Sequence, residues 1–155
     1  MSYANDMPTV EKAARTDAGL ASELRVSVMR LRRRLIVEGL PDEALSLTQT
    51  SVLACLFRNG DLTVGDLAAF ERVQPPSMTR TVKLLETGGY LTRRAHDTDG
   101  RQVVVSLTDH GRDLVRADRA RRDAWLSRRL SELTPEQRAV LRQAAPILDD
   151  LSRKD

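Results

Sequence analysis

Apolar side chains recur every three to four residues in several stretches of the chain, which is the spacing of one face of an α-helix. A first helix is predicted from Leu20, Leu24, Val28, Leu31 and Leu35, with Gly39 and Pro41 ending it. A second is predicted from Val52, Leu53, Leu56 and Phe57, with Thr48 as its candidate N-cap and Asn59-Gly60 at its end. The first residues, 1–16, lack such periodicity and are predicted to be a flexible tail.

Two shorter helices follow in the middle of the chain. Thr63 and Asp66 have the spacing of a capping box, which predicts a third helix with Leu67 and Ala68 buried. The fourth helix is predicted to open at Pro75, where a missing N–H costs little. On a helical wheel its Met78, Val82 and Leu85 share one face, and the opposite face carries hydroxyl and basic side chains.

The pattern then changes from helical spacing to alternation. Strands are predicted at 90–94 and 102–107, and Asp99-Gly100 supplies a turn between them, so these segments form a β-hairpin. Thr108 is the predicted N-cap of a long fifth helix. Thr134 to Gln137 has the pattern of a capping box that starts a sixth helix, in which Pro146 is expected to introduce a kink.

The two ends of the chain carry more apolar surface than a domain of this size needs. Such a stripe usually finds a partner, and an isologous homodimer is the simplest one. The alternative is that both ends fold back on their own domain. In the middle of the chain, a short helix followed by a hairpin is the layout of a winged helix-turn-helix. The predicted division is therefore a winged helix-turn-helix region at 46–108 and a helical dimerisation region at 17–45 and 109–155.

Composition narrows the class of protein. Among the 155 residues 30% are charged and 3% aromatic, and the net charge of +3 permits an anionic partner without requiring one. The single cysteine, Cys55, excludes an internal disulfide, and no signal peptide or stretch of eighteen apolar residues is present. These features predict a soluble cytoplasmic protein with no membrane partner.

Several motifs together resemble the MarR family of bacterial transcription regulators. They are the Pro75-Pro-Ser-Met-Thr-Arg80 opening of the fourth helix, Asp99-Gly-Arg101 in the hairpin, and Leu107-Thr108 with Gly111 after it. The resemblance implies a mainly α fold with a small β-hairpin wing, and a homodimer formed by N- and C-terminal helices. It further implies binding to double-stranded DNA at a pseudo-palindromic operator, most often as a repressor. Release by a small phenolic or lipophilic effector, held by the first, second and fifth helices, is also implied; no other cofactor is expected.

The predicted DNA-binding residues lie on the fourth helix and the hairpin. They are Pro76, Ser77, Thr79, Arg80, Lys83, Arg94, Asp99 and Arg101. The basic members are expected to form one face, with Arg80 and Lys83 at bases or phosphates and Arg101 in the minor groove. Asp99 cannot favour DNA by charge, so it is expected to hold Arg101 in its pose. Since strand residues alternate, only one of Arg93 and Arg94 should face DNA.

Other candidate chemistry has a simpler interpretation. Cys55 lies among apolar residues and is expected in the core, and His96 and His110 have no ligand partners at metal-binding spacing. The run Arg30 to Arg34 is expected to be a solvated or acid-paired helix face. Enzyme motifs such as a phosphate-binding loop or a nucleophile elbow are absent, so no enzyme is predicted. The alternative function is a winged-helix protein-interaction module without specific DNA binding, and Leu84 on the exposed side of the fourth helix is the residue that favours it.

Overall fold

The computed structural model describes residues 16–39 and 45–153. Within these ranges the helices are α1 (Asp17–Val37), α2 (Leu47–Asn59), α3 (Val64–Phe70), α4 (Pro75–Thr87), α5 (Asp109–Ser131) and α6 (Pro135–Arg153). The strands are β1 (Leu62–Thr63), β2 (Leu91–Ala95) and β3 (Val103–Leu107). The predicted fold class is confirmed: a mainly helical chain with a hairpin wing and long terminal helices. The predicted tail, residues 1–16, lies outside the described residues except for Thr16, as does Pro41.

Hydroxyl side chains begin most of the helices. Thr63 and Thr134 accept the backbone N–H three residues on, from Asp66 and Gln137, as their sequence spacing predicted. Thr108 caps α5 in the same way. The prediction for α2 was wrong by two residues, because its N-cap is Ser46 rather than Thr48. Ser46 forms a full capping box with Gln49, a partner that Thr48 does not have.

The core lies where α2, α3 and α4 pack against the sheet and the start of α5. Its fully buried members include Val52, Leu53, Leu67, Met78, Val82, Leu85, Leu91 and Val105. Cys55 is 1% exposed and belongs to this cluster, as predicted. Each helix of the winged region therefore contributes its apolar stripe to one core, which fixes the orientation of the opposite faces.

One strand was not predicted. Leu62 and Thr63 pair with Val105 and Val104, so β1 joins the hairpin in an antiparallel sheet of order β1-β3-β2. Two residues are too few to show alternation in the sequence. The hairpin strands were predicted within one residue: β2 begins at Leu91 and β3 at Val103.

The terminal helices differ from the rest of the chain because neither α1 nor α6 has a buried residue. Helix α6 runs unbroken through Pro146. Large apolar side chains are exposed on both, namely Leu20, Val28, Met29, Leu31 and Val37 on α1, and Val140, Leu141, Ile147, Leu148 and Leu151 on α6. Among the described residues no helix is both long and apolar enough to cross a membrane.

Candidate nucleic-acid interface

Helix α4 presents a polar face to solvent. Pro75 and Pro76 occupy its first positions, where the backbone N–H groups have no helical partner. Met78, Val82 and Leu85 are buried, which turns the other side of the helix outward. The predicted site residues Pro76, Ser77, Thr79, Arg80 and Lys83 are all exposed there. Their predicted common exposure is confirmed; contact of these residues with DNA stays a prediction.

The hydroxyl groups of α4 are partly engaged within the helix. Thr79 Oγ1 donates to the carbonyl of Pro75 at 3.0 Å. Thr81 makes the same bond to the carbonyl of Ser77. Thr79 is one of the predicted DNA-binding residues, and donating to a DNA phosphate would require its hydroxyl to leave the Pro75 carbonyl. Its oxygen lone pairs remain available as acceptors meanwhile.

Asp99 organises the tip of the wing through the backbone. Its Oδ1 accepts a hydrogen bond from the backbone N–H of Arg101 at 3.1 Å. The carbonyl of Asp99 accepts from the backbone N–H of Gln102 at 2.9 Å, which closes the turn. Asp99 was expected to hold Arg101 in its pose; the bond it forms is to the main chain and leaves the guanidinium free of this contact.

His96 also orders the wing tip, a role that its position in the sequence did not indicate. Its Nδ1 lies 3.3 Å from the backbone nitrogens of both Thr98 and Asp99, so it accepts N–H bonds from the turn. The backbone N–H of His96 donates to the carbonyl of Gln102 across the hairpin. No group of three His, Cys, Asp or Glu side chains in the described ranges is arranged to hold a metal ion.

A cleft of about 530 Å³ separates α4 from the wing. Its lining comes from the start of α3, from α4, and from both strands of the hairpin. Thr79 and Val82 lie on the α4 side, and Arg93, Arg101, Gln102 and Val103 lie on the wing side. The fold thus brings the polar face of α4 and the wing tip, which are distant in sequence, to one open groove.

The two arginines at the base of the wing lie on opposite faces of the sheet. Arg93 is paired with Val105 in the ladder and lines the cleft beside α4. Arg94 is paired with Val104 and lines a separate pocket with Asp61 and Asp97. Only Arg93 therefore shares the cleft with α4, whereas Arg94, the arginine predicted to bind DNA, lies on the other face of the sheet. Contact of either arginine with DNA stays a prediction. A one-residue change in register reverses every side chain of a strand, and the sequence alone did not fix it.

The ion pairs of the basic side chains also differ between the two faces of the sheet. Arg94 forms ion pairs with Asp97 at 3.0 Å and Asp61 at 3.8 Å. By contrast, in the described part of the chain no ion pair involves Arg80, Lys83 or Arg101, although the positive charge of Lys83 helps to lower the pKa of the nearby Glu86 carboxyl. On α1, Arg34 is paired with Glu38, as expected for an acid-paired face.

Arg93 is held by Glu86 from the last turn of α4, with Nε 2.8 Å from Oε2. The hydrogen bond from Arg93 holds the pKa of the Glu86 carboxyl below its ordinary value, and Glu86 raises the pKa of Arg93 in return. Both groups are therefore charged throughout the neutral range. No pattern in the sequence pointed to this pair, because its partners belong to a helix and a strand.

Comparison with known proteins identifies the family of this chain. Residues 45–103, which include α2 to α4 and most of the wing, match the sequence model of the MarR family. An uncharacterized HTH-type transcriptional regulator from Mycobacterium bovis is 45% identical over 133 residues, covering 86% of this chain and 92% of that protein. The chain belongs to the MarR family. It is accordingly a DNA-binding transcriptional regulator with a winged helix-turn-helix, and not an enzyme.

Two further relatives agree with this membership. The HTH-type transcriptional repressor MdtR from Bacillus subtilis is 30% identical over 137 residues, which cover 86% of each chain. A crystal structure of a protein from Pseudomonas aeruginosa superimposes with a TM-score of 0.80 at 34% identity, covering 91% of this chain and 99% of that one. The MarR likeness thus extends beyond the winged region to the terminal helices.

Proposed function

We propose that this MarR-family regulator is a homodimeric repressor that reads a pseudo-palindromic operator in double-stranded DNA. The observation that carries the proposal is the set of exposed basic side chains, Arg80 and Lys83 on α4 and Arg101 in the wing, which form no ion pair in the described part of the chain. An exposed helix of this kind docks in the major groove, where Arg and Lys can reach base edges and phosphates. Arg101 at the tip of the wing then suits the narrow, electronegative minor groove.

A second copy of the chain is the proposed partner of α1 and α6. Ten large apolar side chains of these helices are exposed, and within the described part of the chain neither helix has a buried residue, which argues against the alternative that the ends cover their own domain. A contiguous apolar surface of this kind favours an isologous dimer. Two-fold symmetry would present two α4 helices to successive major grooves, so the operator is expected to be a pseudo-palindrome.

Repression is proposed from the relative MdtR, which carries that activity in its name. A dimer that occupies two major grooves would exclude polymerase from an overlapping promoter. The sign of regulation can be tested with a reporter fused to the bound DNA. Repression predicts higher reporter output after deletion of the gene; an activator would give lower output.

Release by a small phenolic or lipophilic effector is also proposed, at the junction of α1, α2 and α5. Two buried donors on α5, Arg122 Nε and Trp125 Nε1, have no hydrogen-bond partner among the residues that the structure describes. Arg34 and Arg129 approach the Trp125 ring at 5.7 and 5.8 Å from its centre. Unsatisfied buried donors are costly, so an aromatic ligand with an oxygen acceptor would be stabilised there. Trp125 is the single tryptophan of the chain, and its fluorescence would report binding directly.

The experiment that tests the proposal is a fluorescence-anisotropy titration against DNA from upstream of the gene, with scrambled DNA as control. Selective binding that weakens steeply with salt, as expected for roughly 6–10 phosphate contacts, supports operator reading. Equal binding to both DNAs removes the claim of specificity. A folded dimer that binds neither would favour the protein-interaction alternative, to which Leu84, 54% exposed on α4, would then contribute.

A further inference from the structure

Glu86 and Arg93 connect the DNA-reading helix to the wing. Glu86 is in the last turn of α4, and Arg93 is in the middle of β2. Both Nε and Nη2 of Arg93 bond the same carboxylate oxygen of Glu86. In the described ranges this is the one side-chain hydrogen bond or ion pair that joins α4 to residues 91–107. The link is therefore concentrated in two residues.

The geometry around the pair shows why such a link matters. The turn between α4 and β2 contains Gly88 and Gly89, and Gly89 has a φ of +76°. Leu91 is buried at the base of β2, but the next four residues of the strand are exposed. Opposite these residues in β3, Val104 and Val105 are buried, so the sheet is anchored to the core as far as Arg93. In the described ranges, the exposed side of β2 beyond Leu91 is tied to α4 by side-chain polar contacts only through the ion pair.

We propose that Glu86 is a positioning residue for DNA reading: acting through Arg93, it fixes the wing at the distance from α4 that lets both elements engage DNA together. This proposal rests on the DNA docking proposed above. Arg93 faces the cleft that also contains Thr79 and Arg101, so a change in its position would alter the width of that cleft. Glu86 itself acts through Arg93 and need not touch DNA.

The direction in which one substitution changes DNA affinity separates this positioning role from a general effect of charge. Glu86 is a negative charge on the helix that approaches a polyanion, so Glu86→Gln should tighten DNA binding if charge alone matters. If the pair positions the wing, Glu86→Gln should weaken specific binding instead. An exposed ion pair supports roughly a three- to fivefold effect per wing, hence roughly ten- to twenty-fivefold for a dimer.

The test uses the full-length protein and a duplex selected by the wild type from a random-sequence library. Affinity for this duplex and for scrambled DNA is measured for the wild type, Glu86→Gln and Glu71→Gln. Glu71 is the matched control, since it is an acid of the same winged region that forms no ion pair in the described part of the chain. Glu86→Arg, Arg93→Glu and their double variant complete a charge-exchange cycle, in which the double variant has the net charge of the wild type.

A second measurement needs no DNA. Hydrogen–deuterium exchange should rise in the wing, residues 91–103, of Glu86→Gln and stay unchanged in α2. This readout also shows that the variant remains folded. The proposal expects weaker specific binding for Glu86→Gln but not for Glu71→Gln. It also expects faster wing exchange in Glu86→Gln. In the charge-exchange cycle, each single reversal should lose affinity and the double variant should recover it.

Wild-type or tighter specific binding by Glu86→Gln, with unchanged wing exchange, would overturn the positioning role. An absence of coupling between the two charge reversals would do the same. Failure of the proposed function looks different: the library would yield no preferred duplex for the wild type, whatever Glu86 does. Faster wing exchange without any change in specific affinity would mean that the pair orders the wing but that this order does not contribute to DNA reading. That result would also overturn the proposal.

Discussion

The carboxylate of Asp99 and the backbone N–H of Arg101 are joined by a 3.1 Å hydrogen bond at the tip of the wing. This bond orders the turn without neutralising the Arg101 guanidinium. If the wing lies against DNA as proposed, this structural contribution would offset the repulsion between the Asp99 carboxylate and the phosphates. Two substitutions of Asp99 can therefore separate the effect of this hydrogen bond from the effect of the carboxylate charge.

Asp99→Asn keeps an acceptor oxygen and removes the negative charge, so we expect DNA affinity equal to or greater than that of the wild type. Asp99→Ala removes the acceptor as well, and we expect affinity to fall about three- to tenfold as the tip loses order. Anisotropy titrations of both variants against the selected duplex would measure this. Equal affinities for the two variants would show that Asp99 acts by charge alone.

The two wing arginines should differ in their contributions. Arg101→Ala is expected to weaken binding and to relax preference for A·T-rich sequence at the wing positions. Arg94→Ala should have a smaller effect, because Arg94 lies on the other sheet face with Asp61 and Asp97. The measurement is affinity for duplexes that differ only at those positions. A larger loss for Arg94→Ala would contradict the orientation of the strand relative to DNA.

Arg80 and Lys83 of α4 are expected to differ in kind. Arg80→Ala should cost about 1–3 kcal/mol of binding free energy and flatten preference at one position in each half-site, if the side chain reads a base. Lys83→Ala should weaken binding to all sequences and lower the salt dependence if it contacts a phosphate. Competition titrations over single-base operator variants distinguish the two outcomes. Wild-type affinity in both variants would remove α4 as the reading element.

How far the sequence could predict this site depends on whether each signal was local. The helix start at Pro75 and the cap of α3 by Thr63 follow from neighbouring residues, and both were predicted correctly. The buried face of Met78, Val82 and Leu85 follows from helical spacing in the same way. These signals fix which side of α4 is exposed before any tertiary contact is known.

The features that were missed depend on contacts between distant segments. The strand at Leu62 and Thr63 exists because β3 pairs with it, and two residues carry no periodic signal of their own. Whether Arg93 or Arg94 lines the cleft beside α4 depends on where β2 enters the sheet. The first residue of β2, Leu91, is buried, and alternation from it places Arg93 at the cleft. The ion pair from Glu86 likewise requires the helix and strand to be assembled first.

Stability offers a test outside the interface. Arg72 has a φ of 52°, the left-handed region that a non-glycine residue rarely adopts. It follows α3, where the N–H of Val73 bonds the carbonyl of Ala68 and the N–H of Arg72 bonds that of Ala69, a Schellman motif that favours glycine at this position. Arg72→Gly should raise the free energy of unfolding by about 1 kcal/mol, or Tm by roughly 2–4 °C. Arg72→Ala, which keeps a Cβ, is the control and should not stabilise.

The proposed dimer makes the last prediction. Ile147 is 60% exposed on the apolar face of α6, so Ile147→Asp would place a charge in the proposed interface and should dissociate the dimer. Loss of the second α4 should then reduce operator affinity by at least about a hundredfold, since one half-site binds alone. Ala139→Asp, at an exposed position outside the apolar face of the same helix, introduces the same charge and should leave both properties unchanged. Light scattering gives the mass in each case, and a dimeric Ile147→Asp variant would show that α6 faces solvent in the assembly.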